Sequence, residues 1–318
     1  MSKAQIHHGR NIIVMPTGTG KTETMLSILI ANQCPKVLIT VPSDALRDQL
    51  ANKFITLGIL PKYEIVASDC IYPNVGIVKE GMDYNGWHSL IEKSNVIITT
   101  MPLIANSEST IIDLLRANIS HLFIDEAHHS EAKTWSEFID SFDDEKVTLF
   151  TATPFRNDSR RLRGDFIYNF SLKDAQSQGY YKPIKFIPIR EYDLIQADRH
   201  IAEVAVNQLR SDIENGYDHI LMARCSTKQR AKEVMEIYQQ YSDLNPVVVF
   251  SSMPNQKSIL NGIKDKKHKI IVCVNMLGEG FDMPELKIAA IHDAKQSLPI
   301  TLQFIGRFTR TCLLYTSP

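Results

Sequence analysis

The sequence predicts an α/β protein of two domains built on parallel sheets, and three observations predict it. Short β-branched runs alternate with helical stretches along the whole chain, the rhythm of parallel strands joined by crossover helices and covered on both faces. That rhythm occurs twice and lapses once, near 171–195, where Gly179, Pro183 and Pro188 punctuate a stretch with no clear helix–strand unit. A glycine turn, Pro16-Thr17-Gly18-Thr19-Gly20-Lys21-Thr22, follows the first apolar run directly and opens a helix. The domains are therefore placed at 1–171 and 196–318, with a linker at 172–195.

The elements follow in order. In the first half, strands are expected at 11–15, 36–41, 64–67, 95–99, 120–124 and 146–151, each a short run such as Asn11-Ile12-Ile13-Val14-Met15. Helices fill the space between them at 22–33, 44–57, 86–93 and 109–117. In the second half, strands are expected at 184–189, 218–223, 246–250, 269–274 and 287–292, and helices at 198–215, 227–241, 255–265 and 299–309. No internal repeat or low-complexity tract interrupts them.

Composition narrows the function classes. A length of 318 residues suits two domains, and 44% hydrophobic with 22% charged residues is ordinary for a globular protein. A net charge of −1 gives no global basic field, so a nucleic-acid partner would be held locally, in a groove, as suits a motor that must release its track. The five cysteines (Cys34, Cys70, Cys225, Cys273, Cys312) form no C-x-x-C pair, which argues against a zinc site or a disulfide framework and for reduced thiols in the cytoplasm. No apolar run reaches the roughly 18 residues of a membrane span, and no apolar signal segment opens the chain. No membrane role is expected.

The chemistry lies just past the strands. In the glycine turn, loop N–H groups and the helix N-terminus suit a triphosphate, with Lys21 reaching the β- and γ-phosphates and the Thr22 hydroxyl on Mg²⁺. The strict pattern has Gly where this chain has Met15. Asp125-Glu126-Ala127-His128 follows His121-Leu122-Phe123-Ile124, so a buried strand delivers two carboxylates to its C-terminal edge, where open α/β sheets bind ligands. Asp125 can hold Mg²⁺, and Glu126 can orient and deprotonate the water that attacks the γ-phosphate. Alone, an Asp-Glu pair is a solvated strand end. Thr151-Ala152-Thr153-Pro154 ends the next strand with hydroxyls suited to linking two surfaces, or with a simple turn.

In the second half, Gln303, Gly306, Arg307 and Arg310 share one helix face. Arginines there can act as fingers on a γ-phosphate, an effect worth about 10³–10⁵ in rate, or lie on an amphipathic surface. Gly278-Glu279-Gly280-Phe281-Asp282-Met283-Pro284 makes a rigid loop after a strand, with Asp282 placed to bind ribose or hold those arginines. The basic runs Arg156–Arg163 and Lys264–Lys269 read as solvent faces. Trp87 and Trp135 read as partly buried, Tyr180-Tyr181 as linker packing, and His7, His8 and His129 as solvated or capping groups.

In order, Pro16–Thr22, Val41-Pro42-Ser43, Thr99-Thr100-Met101-Pro102-Leu103, Asp125–His128, Thr151–Pro154, Gly278–Pro284 and Gln303–Arg310 resemble the ordered motif set of superfamily 2 helicases. The Asp-Glu-Ala-His and Thr-Ala-Thr-Pro-Phe-Arg forms resemble most the DEAH-containing branch of type I and III restriction-subunit translocases. The resemblance spans nearly the whole chain. It implies two RecA-like P-loop NTPase domains, with ATP in the cleft between them and single-stranded nucleic acid across both. Thr17, Gly18, Thr19, Gly20, Lys21, Thr22, Gly280, Asp282 and Gln303 would bind nucleotide, and Thr22 and Asp125 would hold Mg²⁺. Asp125, Glu126, Lys21, Arg307 and Arg310 would carry catalysis, with Arg310 the first choice of finger. His128, Thr151 and Thr153 would couple hydrolysis to domain movement. Pro42, Ser43, Thr100, Thr227 and Arg230 would touch the track, holding phosphates without reading sequence.

The expectation is an ATP-dependent helicase or translocase on single-stranded or duplex nucleic acid, DNA being favoured, alongside nuclease or restriction and defence subunits. The alternative is a truncated subunit that binds nucleotide or nucleic acid without turnover. Two departures bear on it. Ten residues precede Asn11, without the family's upstream helix and adenine-contacting Gln, which leaves adenine selectivity open. Past Arg310, Cys312–Pro318 continues no expected pattern, which reads as an incomplete second domain.

Overall fold

The computed structural model describes residues 9–129, 133–153, 161–180, 185–250, 253–274, 283 and 285–293. The chain divides into two compact units, Met1–Ala175 and Gln176–Pro318.

The first unit holds β1 (Asn11–Val14), α1 (Lys21–Ala31), β2 (Val37–Val41), α2 (Asp44–Thr56), β3 (Val75–Ile77), α3 (Tyr84–Lys93), β4 (Val96–Thr100), α4 (Met101–Ala105), α5 (Ser109–Asn118), β5 (His121–Ile124), α6 (Lys133–Asp140), β6 (Val147–Thr151) and β7 (Asp165–Asn169). Helix α7 (Leu172–Ser177) runs across the division. The seven strands form one sheet in the order β3-β4-β2-β5-β6-β1-β7, and every pairing is parallel. The five central strands are buried almost throughout, because helices cover both faces of a parallel sheet. That is why they read as unbroken apolar runs. Phe123 of β5 and Phe150 of β6 meet edge to face, with ring centroids 5.5 Å apart.

The second unit holds α8 (Leu194–Glu214), β8 (Ile220–Cys225), α9 (Lys228–Tyr238), β9 (Val247–Val249), α10 (Gln256–Lys264), β10 (Ile270–Val274) and β11 (Leu286–Ile291). Its four described strands are parallel, in the order β11-β8-β10-β9. Alternate residues of β8 face opposite ways. Leu221, Ala223 and Cys225 join the apolar cluster of α8 and α9, whereas Ile220 and Met222 join the cluster that contains Ile263 of α10.

The edges depart from expectation. Residues 64–67 are not a strand: Glu64 takes a left-handed φ of 54° and Ile65 is 63% exposed, within a run of turns after α2. The edge strand is β3 instead. A Cβ on its Gly76 would lie 2.6 Å from Ser94 Oγ and 2.7 Å from Leu90 Cδ1, so close packing of α3 requires the glycine that hides this strand. Residues 185–189 carry no regular element. Strand β7 and helices α4, α6 and α7 add to the expected set. In the basic run, Arg161 lies over the Phe166 ring and Arg163 pairs with Asp140 and Asp144, and both arginines are exposed, as expected of a solvent face. Trp87 is 2% exposed and Trp135 packs against the same core.

Candidate nucleotide site

Parallel strands put all their C-terminal ends on one edge of the first sheet. Along that edge the order is β4, β2, β5, β6, β1. The residues just past each strand are therefore, in turn, Thr100, Pro42-Ser43, Asp125–His128, Thr151–Thr153 and the Pro16–Lys21 loop. At about 4.8 Å per strand, the whole row spans roughly 19 Å.

The loop leaves β1 at Met15, whose N–H donates to the Thr151 carbonyl at 2.9 Å. Thr19 folds it back, its hydroxyl donating to the Pro16 carbonyl at 2.7 Å. Gly18 and Gly20 take left-handed φ values of 84° and 98°, which only glycine adopts without strain. Gly20 caps α1, so Lys21 and Thr22 open the helix, where backbone N–H groups have no intrahelical acceptor. Thr24, which the sequence reading passes over, donates to the Gly20 carbonyl at 3.0 Å and contacts Met15 Sδ at 3.4 Å. The residue found where the strict pattern has glycine thus packs beneath the loop, 6% exposed.

Lys21 is 8% exposed and points along the edge toward β5. Its ammonium is bonded to Glu126 Oε1 and lies 3.8 Å from Asp125 Oδ1. Asp125 continues the β5 ladder, its N–H donating to the Thr40 carbonyl at 2.9 Å, and its Oδ1 accepts the Glu126 N–H at 2.9 Å. Glu126 is 8% exposed and holds a left-handed φ of 49°, a strained geometry for a residue with a Cβ and of the kind found where chemistry demands one side-chain direction. Its Oε2 lies 3.4 Å from Nδ1 of His128, which is buried in the short 3₁₀ turn Ala127–His129. The same ring nitrogen is 3.4 Å from Thr151 Oγ1, which donates to the Thr153 carbonyl at 2.9 Å and accepts from the Thr153 N–H at 3.3 Å.

The structure thus brings together Lys21, Asp125, Glu126, His128, Thr151 and Thr153. Two carboxylates outnumber the one ammonium, and a glycine-lined helix start stands beside them. This donor set fits a divalent cation and a polyphosphate. Thr17 and Thr22 sit in or beside the loop, both partly buried. Pro42 and Ser43 lie two strands from β6; Ser43 precedes α2 without a side-chain cap bond, and its Oγ is buried with no hydrogen-bond partner among the described residues. Thr100, 5% exposed, starts α4, likewise without a cap bond.

In the second unit, Thr227 caps α9, accepting the Arg230 N–H at 3.1 Å. Arg230 is turned inward onto carboxylates. Gly280, Asp282, Gln303, Arg307 and Arg310, with Pro154, lie outside the described residues. Sequence reasoning missed Asp198, His292 and Asp293, which surround Arg230. The one local signal was a charged residue within the apolar pattern of a helix, at Asp198.

Comparison with known proteins finds matches along both units. The family described as "Type III restriction enzyme, res subunit" matches residues 2–156, and "Helicase conserved C-terminal domain" matches 204–312. The "DNA 3'-5' translocase XPB2" of Sulfurisphaera tokodaii is 22% identical over 97% of this chain and 76% of its own length. Among solved structures, the Hef helicase domain of Pyrococcus furiosus superposes with a TM-score of 0.54 at 16% identity, over 96% of this chain and 90% of that one. The Mycobacterium smegmatis helicase Lhr, bound to ssDNA and AMP-PNP, superposes with a TM-score of 0.60 at 16% identity, over 96% of this chain and 42% of that one. The chain spans 56–61% of several other curated relatives. The fold is that of the two-domain RecA-like helicases.

Proposed function

Because the chain belongs to the superfamily 2 helicases, on the branch of the type III restriction res subunits, we propose that it is an ATP-driven motor that moves along single-stranded nucleic acid, DNA by preference. The observation that carries this reading is the meeting of Lys21, from the glycine loop, with Asp125 and Glu126, from the end of β5. An ammonium, a metal-binding carboxylate and a second, buried carboxylate within a few ångströms are the parts phosphoryl transfer to water requires.

In this reading Asp125 and Thr22 hold Mg²⁺, which when bound offsets the charge of the transferred phosphoryl group. Lys21 exchanges its carboxylate partners for phosphate oxygens. Glu126, freed from Lys21 and kept in direction by its backbone, orients the attacking water and takes its proton. His128 and Thr151 connect that carboxylate to the β6 end. Arg307 and Arg310 supply the finger, with Gly280, Asp282 and Gln303 on the nucleotide. Thr100, Pro42, Ser43 and the loop at Thr227 hold the track. The DEAH assignment, a cytoplasmic setting and association with nuclease or restriction subunits belong to the same proposal.

The test is steady-state ATP hydrolysis by the purified full chain, with and without oligothymidylate or oligouridylate. Glu126→Gln should lower turnover about 10²–10⁴-fold while nucleotide binding survives, and Lys21→Ala should abolish stimulated turnover. Unchanged turnover in either sinks the assignment of roles. Nucleotide binding without hydrolysis on any track would favour the alternative, a binding subunit.

A further inference from the structure

The second unit carries its own charged cluster, at the C-terminal edge of its sheet. β8 ends on Arg224 and Cys225, and Ser226 and Thr227 lead into α9. The neighbouring strand β11 is followed by His292 and Asp293. Arg230, on the first turn of α9, donates to Asp198 Oδ2 at 2.8 Å, to Glu233 Oε2 at 3.1 Å and to Asp293 Oδ1 at 3.3 Å. Asp198 belongs to α8 and is 4% exposed; its Oδ1 lies 2.8 Å from Nδ1 of the fully buried His292, whose Nε2 is 3.1 Å from the Tyr238 hydroxyl. Asp293 Oδ2 accepts from the Ser226 N–H at 2.7 Å and the Ser226 hydroxyl at 2.9 Å, and Arg224 donates to the Asp293 carbonyl at 2.6 Å.

Four elements, α8, α9, β8 and β11, are thereby tied at one point. Burial pushes the Asp198 carboxyl up, but the bonds from His292 and Arg230 outweigh it and hold it below the usual carboxylate range. Asp293 is held low in the same way: burial pushes it up, and the Ser226 bonds together with Arg230 outweigh it. Three carboxylates surround the Arg230 guanidinium, whose donors are thereby already engaged within the fold. By contrast, Ser226, Thr227, Lys228 and Gln229 are all exposed, at the strand edge where α/β sheets meet ligands.

Resting on the nucleic-acid reading above, we infer that Arg230 and Asp198 are positioning residues for the track: their ion pair, shared with Asp293, fixes the exposed Ser226–Gln229 loop in the shape that meets the sugar–phosphate backbone, and Arg230 itself does not touch it. Fixing the loop in advance removes the ordering cost from binding. The contacts then come from hydroxyls, backbone N–H groups and Lys228, none of which reads sequence.

The inference makes predictions opposite in sign to simple electrostatics. Neutralising an acid beside a polyanion strengthens binding if charge alone matters. Positioning requires Asp198→Asn to weaken it. A direct phosphate contact by Arg230 would be largely rescued by lysine, which binds phosphate as a point charge. A guanidinium bridging three carboxylates would not, because lysine lacks the planar fork.

The experiment measures binding of the full chain to fluorescent oligothymidylate by anisotropy, the oligothymidylate concentration for half-maximal ATPase stimulation, and the far-UV circular dichroism of each variant. Asp198→Asn, Arg230→Gln and Arg230→Lys should each raise the half-maximal concentration about tenfold, with the double variant Asp198→Asn/Arg230→Gln no worse than the singles, as for groups acting as one unit. Far-UV circular dichroism of each variant should match wild type at the assay temperature, which separates positioning from general unfolding. Tighter binding by Asp198→Asn, or wild-type binding by Arg230→Lys, overturns the inference. Should Asp198→Asn fail to fold, Arg230→Lys decides alone. A wild-type chain that binds neither oligothymidylate nor oligouridylate refutes the nucleic-acid reading itself, a result distinct from a wild-type chain that binds and variants that behave as charge alone dictates.

Discussion

Replacing Lys21 with alanine should destabilise the nucleotide-free protein as well as silence it. The Lys21 side chain is 9% exposed and its ammonium is bonded to Glu126, with Asp125 Oδ1 3.8 Å away; both carboxylate side chains are 10% exposed. Removing one partner of a buried pair typically costs about 3–5 kcal/mol, because the other charge is left without compensation. Here Glu126 keeps His128 at 3.4 Å and the site retains some access to water, so the low end, about 3 kcal/mol, applies. For a unit of this size each kcal/mol moves the midpoint about 2–4 °C, so the unit 1 transition should fall by about 6–12 °C. The assay is calorimetry at neutral pH with chelator present, since a divalent cation would replace the missing positive charge. The double variant Lys21→Ala/Glu126→Gln should recover much of the loss, because the cost lies in the orphaned carboxylate. A Lys21→Ala midpoint within about 2 °C of wild type would show that the pair is not formed in solution, and the reasoning fails.

Three further outcomes follow from the same structure. Gly76→Val forces a side chain against Ser94 and Leu90; at about 1–3 kcal/mol for an overpacked site, it should lower the same calorimetric transition, and an unchanged midpoint would contradict the β3–α3 packing. On a Cys312→Ser background, an aromatic disulfide reagent at pH 8 should label Cys70 alone quickly, because burial pushes the thiols of Cys34 to about 11 and Cys225 to about 12 and Cys273 is buried; a second fast thiol would show that the packing around that cysteine opens readily. Thr151→Val keeps the β-branched shape of the strand end but removes the hydroxyl shared by His128 and Thr153. Nucleic-acid stimulation of ATP turnover should fall severalfold while ATP affinity holds, as read from steady-state titrations; equal loss of affinity would assign Thr151 to nucleotide binding instead.

What the sequence made legible, and what it did not, divides along burial. β1, β2, β4, β5 and β6 are the inner strands, and their unbroken runs of Ile, Val, Leu and Phe are the direct imprint of being covered on both faces. The chemistry was legible for a related reason: Lys21 and Asp125-Glu126 stand immediately after such runs, so locating the strand also locates the edge. The outer strands carry no such imprint. β3 is a three-residue strand centred on Gly76, whose need for a small residue is set by α3, a contact across the fold. β7 has polar ends, Asp165 and Asn169, and three of its five residues are exposed. Residues 64–67 have the composition of a strand, but nothing in the sequence says that this stretch turns out into solvent. The Arg230 cluster was opaque for another reason: Asp198 and Asp293 lie 32 and 63 residues from it, so Arg230 reads locally as a basic residue at a helix start, ready for phosphate, until the fold brings its three carboxylates around it.

The topology also explains why β6, the least distinctive motif strand in the sequence, holds the central place in the site. The lysine loop follows β1 and the carboxylates follow β5, and these strands do not touch; β6 lies between them. The two halves of the candidate site meet directly through Lys21 and Glu126, and one strand end gives them a second link. Thr151 accepts the Met15 N–H with its carbonyl on one side and reaches His128 with its hydroxyl on the other. Under the proposed function, a shift of the glycine loop would be carried through a main-chain bond to Thr151, from its hydroxyl to His128, and from His128 to Glu126. A parallel sheet makes this arrangement possible, because an antiparallel neighbour would present its N-terminus at this edge and offer no residue able to bond both loops. Thr151 and Thr153 each read locally as turn residues; their placement between the lysine and the carboxylates is a property of strand order.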